Sequence, residues 1–274
     1  MFERIMSQKP EVMDKIFPVY GEISKVNFDL SPEHLKKVVE STEIVFHLAA
    51  SLKLEAPLKP NVLMNLVGTK NALELAKQMK NLIQMVHLST AFCNIEPEVV
   101  YEKVYDFPHD PEDLIRMAEW MDEKAMNAMQ KELLGQHSNT YTYTKRLVEI
   151  LVQREYKNLP LCIVRPTIVL PSVKEPLPGW VDNLNGLVGI FYAGGRGVLR
   201  SMLANPKGRL EFIPVDISVS AIILIPKVLS LTERSDEIPV YHLTCHESQK
   251  LTVKKMFDDV KEIGRKYPAS WALW

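Results

Sequence analysis

The chain has almost no net charge, few cysteines and no long uninterrupted run of apolar residues. Its 33 Lys and Arg side chains are balanced by 34 Asp and Glu side chains, which leaves a formal charge of −1. This balance argues against a nucleic-acid binder that relies on bulk electrostatic attraction to phosphate. Three cysteines lie far apart, at Cys93, Cys162 and Cys245. We interpret them as reduced residues of a cytosol-facing protein, because their number is odd and their spacing suits neither a disulfide frame nor a metal cluster.

Segments that could place the chain in a membrane are also lacking. The best apolar candidate, residues 221–231, is too short to cross a bilayer and contains Pro226 and Lys227. The first residues lack the apolar run of a secretory signal, so we predict a soluble chain. The sequence starts in a charged stretch and stops on large apolar residues, which is typical of a piece of a longer protein.

Apolar runs that alternate with helix-like segments indicate the fold class. Short runs rich in Val, Ile and Leu predict strands at residues 17–20, 43–51, 83–88 and 161–166. Helical spacing predicts helices at residues 1–16, 33–40, 61–80, 112–134 and 141–156. Such alternation forms parallel sheets through right-handed crossovers. The sequence therefore predicts an α/β fold, a Rossmann-like parallel sheet with helices on both faces.

Small and polar residues follow three of these strands, at the edge where such sheets bind ligands. Ala49-Ala50-Ser51 could admit a ligand to the backbone, or could allow close packing of a helix. Ser89-Thr90 offers two hydroxyls that could donate to a substrate oxygen, or could cap a turn. Arg165-Pro166 is most simply explained as the end of a strand, because proline interrupts the hydrogen bonding.

A tyrosine and a lysine four residues apart, Tyr141 and Lys145, are the candidate catalytic pair. On a helix this spacing places both side chains on one face. A cation beside a phenol lowers the pKa of the phenol, so Tyr141 could pass a proton to a carbonyl oxygen. The chain contains nine tyrosines, however, so the same spacing arises easily by chance on an ordinary polar helix face.

Taken in order, the motifs resemble those of extended short-chain dehydrogenases/reductases. These motifs are His47-Leu48-Ala49-Ala50, Asn65 with Gly68-Thr69, Ser89-Thr90-Ala91, Tyr141-x-x-x-Lys145 and Arg165-Pro166. Longer stretches narrow the resemblance to alcohol-forming fatty acyl-CoA reductases, above all those of insects. They are residues 21–24, 86–94, 139–145, 174–183 (with Glu175-Pro176-Leu177-Pro178-Gly179-Trp180) and 213–216.

The resemblance implies NADPH-dependent reduction of long-chain fatty acyl-CoA to a fatty alcohol through an aldehyde, with two NADPH consumed. Tyr141 would protonate the carbonyl oxygen. Lys145 would lower the pKa of Tyr141 and hold the nicotinamide ribose. Thr90, in preference to Ser89, would hydrogen-bond the same carbonyl oxygen.

The same matching implies which residues contact the cofactor, and it implies no metal ligand. Glu22 and Ile23 correspond to a loop against the adenine, and Ile168 borders the nicotinamide. The other candidates are Ala49, Ala50, Ser51, Asn65, Tyr141, Lys145 and the weaker candidate Lys53. We predict an NAD(P)-binding domain over residues 1–170 and a substrate-binding portion, with a return to the sheet, over residues 171–274. Residues 171–212 would shape the acyl-chain side or form a packed subdomain without ligand contacts.

One departure from the family concerns the residues that bind the cofactor phosphates, because residues 1–20 contain no glycine. The first βαβ unit of the family, with the glycine-rich turn that binds pyrophosphate at a helix N-terminus, is therefore missing from this sequence. We predict that the isolated chain is poorly stable and has little activity, and tight binding of NADPH by it would contradict this prediction.

Partners and location also follow from the resemblance. It implies a long-chain fatty acyl-CoA substrate, no nucleic acid, and a full-length protein on the cytosolic side of a peroxisomal or endoplasmic reticulum membrane. Two alternatives belong to other classes. Another extended short-chain reductase or epimerase would share Thr90, Tyr141 and Lys145, and a non-catalytic scaffold would have lost the cofactor turn.

Overall fold

Strands and helices alternate along the computed structural model, which describes residues 2–232, 237–246 and 250–268. The strands are β1 (Ile44–His47), β2 (Gln84–Leu88), β3 (Leu161–Pro166), β4 (Ile168–Leu170), β5 (Arg209–Leu210), β6 (Phe212–Pro214), β7 (Val240–Leu243) and β8 (Leu251–Thr252). The helices are α1 (Glu3–Gln8), α2 (Pro32–Ser41), α3 (Leu58–Asn61), α4 (Gly68–Gln78), α5 (Pro111–Trp120), α6 (Glu123–Leu134), α7 (Thr140–Glu155), α8 (Gly186–Gly195), α9 (Val215–Ser230) and α10 (Val253–Lys266). A π-helix (Val62–Val67) joins α3 to α4, and Pro10–Lys15 and Val26–Asp29 are 3-10 helices.

Four strands form the central sheet in the order β1-β2-β3-β7, and each neighbouring pair is parallel. His47 of β1 is paired with His87 of β2 on one lateral side of the sheet. Pro166 of β3 is paired with Leu243 of β7 on the other side. Because the strands run in one direction, their carboxyl ends lie at one edge. Two smaller sheets flank it, a parallel pair of β4 with β6 and an antiparallel pair of β5 with β8.

Side chains that alternate along the strands divide the core into two layers. Met85 and Ile163 belong to the cluster that contains the buried residues of α4 and α7. Val86 and Val164 point to the opposite face, where they pack with Ile222 and other residues of α9. Helices therefore cover both faces of a parallel sheet, and the predicted fold class is confirmed.

Side-chain caps determine where two helices begin. At α2, Ser31 accepts a hydrogen bond from the His34 amide (3.3 Å), and Pro32 occupies the first helical position, as predicted. At α7, the Asn139 side chain accepts from the Thr142 amide at 2.9 Å. Because the cap satisfies an amide that has no partner within the helix, it fixes the start of the helix that carries Tyr141 and Lys145.

Four predicted elements differ from the structure. The strand predicted over residues 43–51 covers only Ile44–His47, and residues 48–51 form no strand. Residues 17–20 form no strand, because a strand needs a hydrogen-bonding neighbour; the ring of Phe17 packs on α2 instead, 5.6 Å from the ring of His34. The predicted helix over residues 1–16 breaks before Pro10, where α1 gives way to a 3-10 helix. The predicted helix over residues 112–134 is two helices, since Asp122 caps α6 by accepting from the Ala125 amide at 2.7 Å.

The division into residues 1–170 and 171–274 stays a prediction. The second part carries α8, α9 and α10 and contributes β7 to the central sheet. Within the described residues, no helix combines the length and the apolar character that a bilayer crossing requires.

Candidate active site

The carboxyl edge of the central sheet gathers the predicted catalytic residues. Thr90 follows β2, while Tyr141 and Lys145 lie one turn apart on α7. Lys145 reaches back to the end of β2, where its Nζ donates a hydrogen bond to the Leu88 carbonyl oxygen at 2.6 Å. This bond holds the catalytic face of α7 beside the loop that follows β2.

Tyr141 meets Thr90 at this edge. Burial raises the pKa of Tyr141 to about 12, Cys93 adds to the rise, and a hydrogen bond with Thr90 works in the opposite direction. Desolvation outweighs any opposite effect on the pKa of Tyr141, and the Lys145 ammonium binds the Leu88 carbonyl, so the prediction that Lys145 lowers this pKa stays a prediction. A phenol with so high a pKa keeps its proton at neutral pH, as a proton donor must.

Lys145 is buried, with only 3% of its surface exposed. Burial lowers its pKa to about 8, while the nearby Cys93 and Glu149 act to raise it. The ammonium therefore remains mostly charged at neutral pH and loses its proton in the mildly alkaline range.

Glu149 and Arg165 form a buried ion pair next to the catalytic residues. Their side chains are 1% and 0% exposed. Arg165 Nη2 lies 2.6 Å from Glu149 Oε2, and Arg165 Nε lies 2.9 Å from Glu149 Oε1. Two parallel hydrogen bonds of this kind fix the relative orientation of both groups. Arg165 thus has a role in the core beyond the end of β3.

Ser89 is engaged by the same pair. Its hydroxyl donates to Glu149 Oε1 at 2.6 Å, so it points away from the space in front of Tyr141. Thr90, by contrast, interacts with Tyr141 itself. The geometry thus favours Thr90 over Ser89 as the hydroxyl that meets a substrate oxygen, and the assignment stays a prediction.

Arg165 also contacts two segments remote from it in sequence, one through main-chain oxygens and the other through a side chain. Its guanidinium donates to the carbonyl oxygens of Tyr101 (3.1 Å) and Lys103 (2.8 Å) and lies 3.2 Å from His242 Nε2. Tyr101 and Lys103 belong to the long loop between β2 and α5, and His242 lies on β7. One side chain therefore ties the loop and a neighbouring strand to the catalytic edge.

Two stacked histidines lie under Lys145. The rings of His47 and His87, which are paired residues of β1 and β2, have centroids 5.4 Å apart. Burial and, secondarily, the Lys145 charge lower the pKa of His47 to about 4, and the same causes keep the pKa of His87 well below its usual value. Both rings are neutral at physiological pH. His47 Nε2 lies 3.0 Å from the Thr69 hydroxyl.

Cys93 is buried behind the ion pair. Its Sγ lies 3.4 Å from Glu149 Oε1 and 3.2 Å from the Thr90 carbonyl oxygen. Burial, with the negative charge of Glu149, raises the pKa of this thiol well above its usual value. A thiol that keeps its proton is a poor nucleophile, so the geometry does not support an acyl-enzyme on Cys93.

The π-helix connects the loop after β1 to α7. Asn65 Oδ1 accepts from the Ser51 amide at 2.7 Å, and its Nδ2 donates to the Thr144 hydroxyl at 3.1 Å. One turn earlier, Asn61 Nδ2 donates to the Thr140 hydroxyl at 2.7 Å and to the Lys53 carbonyl at 3.2 Å. Asn65 was predicted to contact cofactor; in this structure its amide positions the segment that would do so.

Glu22 and Ile23 lie in a loop that packs on the start of α4. The Glu22 carboxylate accepts from the Ser24 amide (3.2 Å) and hydroxyl (2.9 Å), and these bonds lower its pKa. The Ile23 carbonyl accepts from Asn71 Nδ2 at 3.0 Å. A Cβ on Gly68 would come within 3.1 Å of the Ile23 side chain, so glycine allows this close approach.

The other predicted cofactor contacts line the same edge. After β1, Ala49 and Lys53 are exposed and Ala50 is half-buried. Ile168 begins β4, and its amide donates to the Glu211 carbonyl at 3.2 Å. Small side chains beside a phenol and a lysine suit the nicotinamide half of a dinucleotide.

The pyrophosphate half of a dinucleotide finds less support among the described residues. Gly21 is the single glycine before β1. A Cβ there would lie 2.7 Å from the Phe28 carbonyl oxygen, so the closure of the loop accounts for this glycine. The segment therefore offers no glycine-rich turn for phosphate.

Sequence reasoning missed Glu149, Cys93 and the two histidines as neighbours of the site. The sequence does contain an indication for Glu149. It follows Lys145 by four residues, as Lys145 follows Tyr141, so it lies on the same face of α7 in an otherwise apolar stretch. For the histidines, the alternation along β1 and β2 predicts their face of the sheet, but not that Lys145 lies over it.

Sequence relatives agree with the motifs. A model of the family described as male sterility protein matches residues 1–222. Fatty acyl-CoA reductase 1 of Xenopus laevis is 39% identical over 220 residues, which cover 80% of this chain and 43% of that protein. Fatty acyl-CoA reductase 1 of Homo sapiens is 38% identical over 244 residues, which cover 89% of this chain and 47% of that protein. The chain therefore spans less than half the length of these relatives.

A solved structure with the same architecture is the terminal R domain from the myxalamid PKS-NRPS biosynthetic pathway. It aligns with a TM-score of 0.63 at 20% identity, over 92% of this chain and 55% of the solved chain. At this identity the likeness concerns the fold alone.

Proposed function

The chain belongs to the male sterility protein family of NAD-binding domains, and we propose that it carries the reductase site of a fatty acyl-CoA reductase. The observation that carries the proposal is the set formed by Tyr141, Thr90 and Lys145 at the carboxyl edge of the sheet. The identity of 38–39% to fatty acyl-CoA reductases supports the substrate class. We propose NADPH as the cofactor, which would supply the hydride.

Tyr141 and Thr90 act on the carbonyl oxygen of the substrate in this mechanism. As negative charge develops on that oxygen, the Thr90 hydroxyl donates a hydrogen bond to it and the Tyr141 phenol transfers its proton. The pKa of Tyr141, raised to about 12, keeps the proton available until the oxygen becomes basic enough to take it.

Lys145 serves the same site by charge and position. Its ammonium, charged at neutral pH because its pKa is about 8, stabilises the phenolate left on Tyr141. Addition of one hydride and one proton to the thioester, followed by loss of coenzyme A as its thiol, would give an aldehyde. Addition of a second hydride, from a second NADPH, and a second proton to the aldehyde would give the alcohol.

Removal of the Tyr141 hydroxyl tests the proposal. In the full-length protein, we expect Tyr141→Phe to lower kcat for palmitoyl-CoA about 100-fold or more, with NADPH binding retained, because the proton donor is lost. The measurement is NADPH oxidation, with the alcohol identified by mass spectrometry.

Tyr143→Phe is the matched control, since its hydroxyl lies on the same helix but contacts His109 Nδ1 at 2.7 Å. Equal rates for Tyr141→Phe and the unchanged protein would refute the assignment. Turnover of a sugar nucleotide in place of palmitoyl-CoA would favour the epimerase alternative.

We further propose that the full-length protein acts on the cytosolic side of a peroxisomal or endoplasmic reticulum membrane. The resemblance of the motifs supports this location. Fractionation of cells that express the full-length protein tests it: recovery in the soluble fraction after mild lysis contradicts membrane association.

A further inference from the structure

A cavity of about 670 Å³ lies between α8, the segment after it, and α10. This volume is in the range of small-molecule sites, about 300–1,000 Å³. α8 packs against β4, which begins two residues after the end of β3. One wall of the cavity, α8, therefore packs on a strand that follows β3 in the chain.

Most of the cavity wall is apolar. The side chains involved come from α8, the following segment and α10: Ile190, Phe191, Leu199, Met202, Phe257 and Val260. The rings of Phe191 and Phe257 meet edge to face, with centroids 6.1 Å apart. Such a wall suits a hydrocarbon chain, whose removal from water supplies the binding free energy.

Three cationic side chains, Arg200, Lys261 and Arg265, also line the cavity, and all three are exposed to solvent. Among the described residues that line it there is no carboxylate, and none of the three cations forms an ion pair within the described part of the chain. Arg200 Nε donates only to the Gly197 carbonyl, at 3.0 Å.

Two other lysines of α10 contrast with Lys261. Lys254 and Lys255 pair with Asp258 and Asp259, each at 2.5 Å. These two lysines are thus held in short ion pairs. Lys261 acts on Asp258 only through space, and its ammonium stays exposed at the cavity. Guanidinium and ammonium groups together suit phosphate oxygens.

Glycines leave room inside this wall. A Cβ on Gly264 of α10 would meet no other atom within 4 Å, and the same holds for Gly195 at the end of α8. Larger side chains at Gly264 would therefore occupy open space without displacing protein atoms.

We propose that this cavity binds the acyl-CoA substrate, with the acyl chain against the apolar wall and the phosphates of coenzyme A against Arg200, Lys261 and Arg265. The inference rests on the proposed function and gives the substrate a location that the catalytic residues alone do not supply. An anionic membrane lipid has similar chemistry and is the competing occupant.

Titration calorimetry with palmitoyl-CoA, free coenzyme A and palmitate tests the proposal in the unchanged protein and two triple-charge variants. We expect Arg200→Gln/Lys261→Gln/Arg265→Gln to raise the Kd for palmitoyl-CoA roughly tenfold or more, and to flatten its salt dependence. Palmitate, which lacks the phosphates, should lose much less affinity. Lys254→Gln/Lys255→Gln/Lys266→Gln removes the same charge outside the cavity and should leave both values unchanged.

A second variant tests the apolar wall independently. We expect Gly264→Leu to weaken binding of palmitoyl-CoA and palmitate alike while leaving free coenzyme A unaffected, because it fills the space for the chain. Unchanged affinities in both variants would overturn the proposal. So would a loss of binding to phosphatidylserine vesicles that exceeds the loss for palmitoyl-CoA.

Failure of this inference is distinguishable from failure of the proposed function. If the cavity variants reduce palmitoyl-CoA with unchanged KM, the proposed function stands and the cavity is not the binding site for the substrate. If the protein binds palmitoyl-CoA through the cavity but yields no alcohol, the binding site stands and the proposed reductase function is refuted.

Discussion

At the scale of single residues, Glu149 connects structure to catalysis. It accepts hydrogen bonds from Ser89 and Arg165, and its negative charge raises the pKa of Lys145 against the effect of burial. The same carboxylate therefore holds the ion pair of the core and keeps the catalytic ammonium charged at neutral pH.

The pKa of about 8 for Lys145 predicts the pH dependence of the reaction. Burial lowers that pKa, so the ammonium loses its proton as the pH rises through about 8, and kcat/KM should fall there. Tyr141, with a pKa of about 12, does not titrate in this range. We expect one falling limb between about pH 6 and 10; a rate constant that stays flat to pH 10 would contradict a charged Lys145.

Glu149→Gln supplies the matching test. Removal of the negative charge lowers the pKa of Lys145 further, so the falling limb should move to lower pH. The variant also leaves Arg165 buried without its partner, which should reduce the free energy of unfolding by roughly 3–5 kcal/mol. The pH profile is therefore measured well below the melting temperature, and a limb that does not move would refute the coupling.

At the scale of elements, the π-helix is the feature that sequence periodicity could not supply. The prediction was one helix over residues 61–80, and α3, the π-helix and α4 do form a continuous helical segment. The wider turn sets Asn61 and Asn65 against Thr140 and Thr144 of α7. Such turns are frequent at functional sites, but no residue type marks them.

Among the residues of the π-helix, Asn65 is the one whose substitution should lower the free energy of unfolding most. Asn65→Ala leaves the Ser51 amide without its partner and removes the bond that the Thr144 hydroxyl accepts, so we expect a loss of roughly 1–3 kcal/mol in the free energy of unfolding. Faster amide exchange at Ser51 in hydrogen-exchange mass spectrometry should accompany it. Asn81→Ala removes an exposed bond to the Glu40 carbonyl and is the control, with a change below about 1 kcal/mol.

The predicted strands were correct where both faces of the strand are buried. They were wrong where strand formation depends on a hydrogen-bonding neighbour. β2 and β3 are buried on both faces, and their continuous apolar runs identified them. Residues 17–20 have the composition of a strand, but strand formation depends on a neighbour with free hydrogen-bonding groups. The preference for Thr90 over Ser89 came from the family resemblance, and the hydrogen bond from Ser89 to Glu149 agrees with it.

At the scale of the whole molecule, the sheet is covered unevenly. β1 is at the end of the strand order, and Ile44 and Phe46 are 42% and 41% exposed, although both lie in a parallel sheet. α9 covers the inner strands on that face through Ile222 and Ile225. An open edge with apolar side chains is a template for pairing with another chain.

We expect this chain to self-associate as its concentration rises, through the edge of β1. Phe46→Lys should reduce the association, because a charged side chain blocks edge pairing. Sedimentation velocity measures the effect. Val99→Lys, at an exposed loop position, is the control and should leave the association unchanged. A protein that stays monomeric at every concentration would show that the edge of β1 does not pair with a second chain.

The whole-molecule assignment depended on long motifs more than on the fold. The parallel sheet is common to many activities, whereas the run from Lys174 to Asn183 and the site residues together resembled a single family. The cavity between α8 and α10 was beyond sequence reasoning, because its wall combines residues about 70 positions apart whose contact depends on the tertiary packing of α10.

The burial of Cys93 has a consequence for the proposed reaction, which would release a thiol. Each turnover would release free coenzyme A beside a protein sulfur, which is the arrangement in which mixed disulfides form under oxidising conditions. Attack requires a thiolate and access, and the Cys93 thiol has neither, since its surface is 0% exposed and its pKa is raised well above the usual value. The site can therefore discharge a thiol without being modified by it.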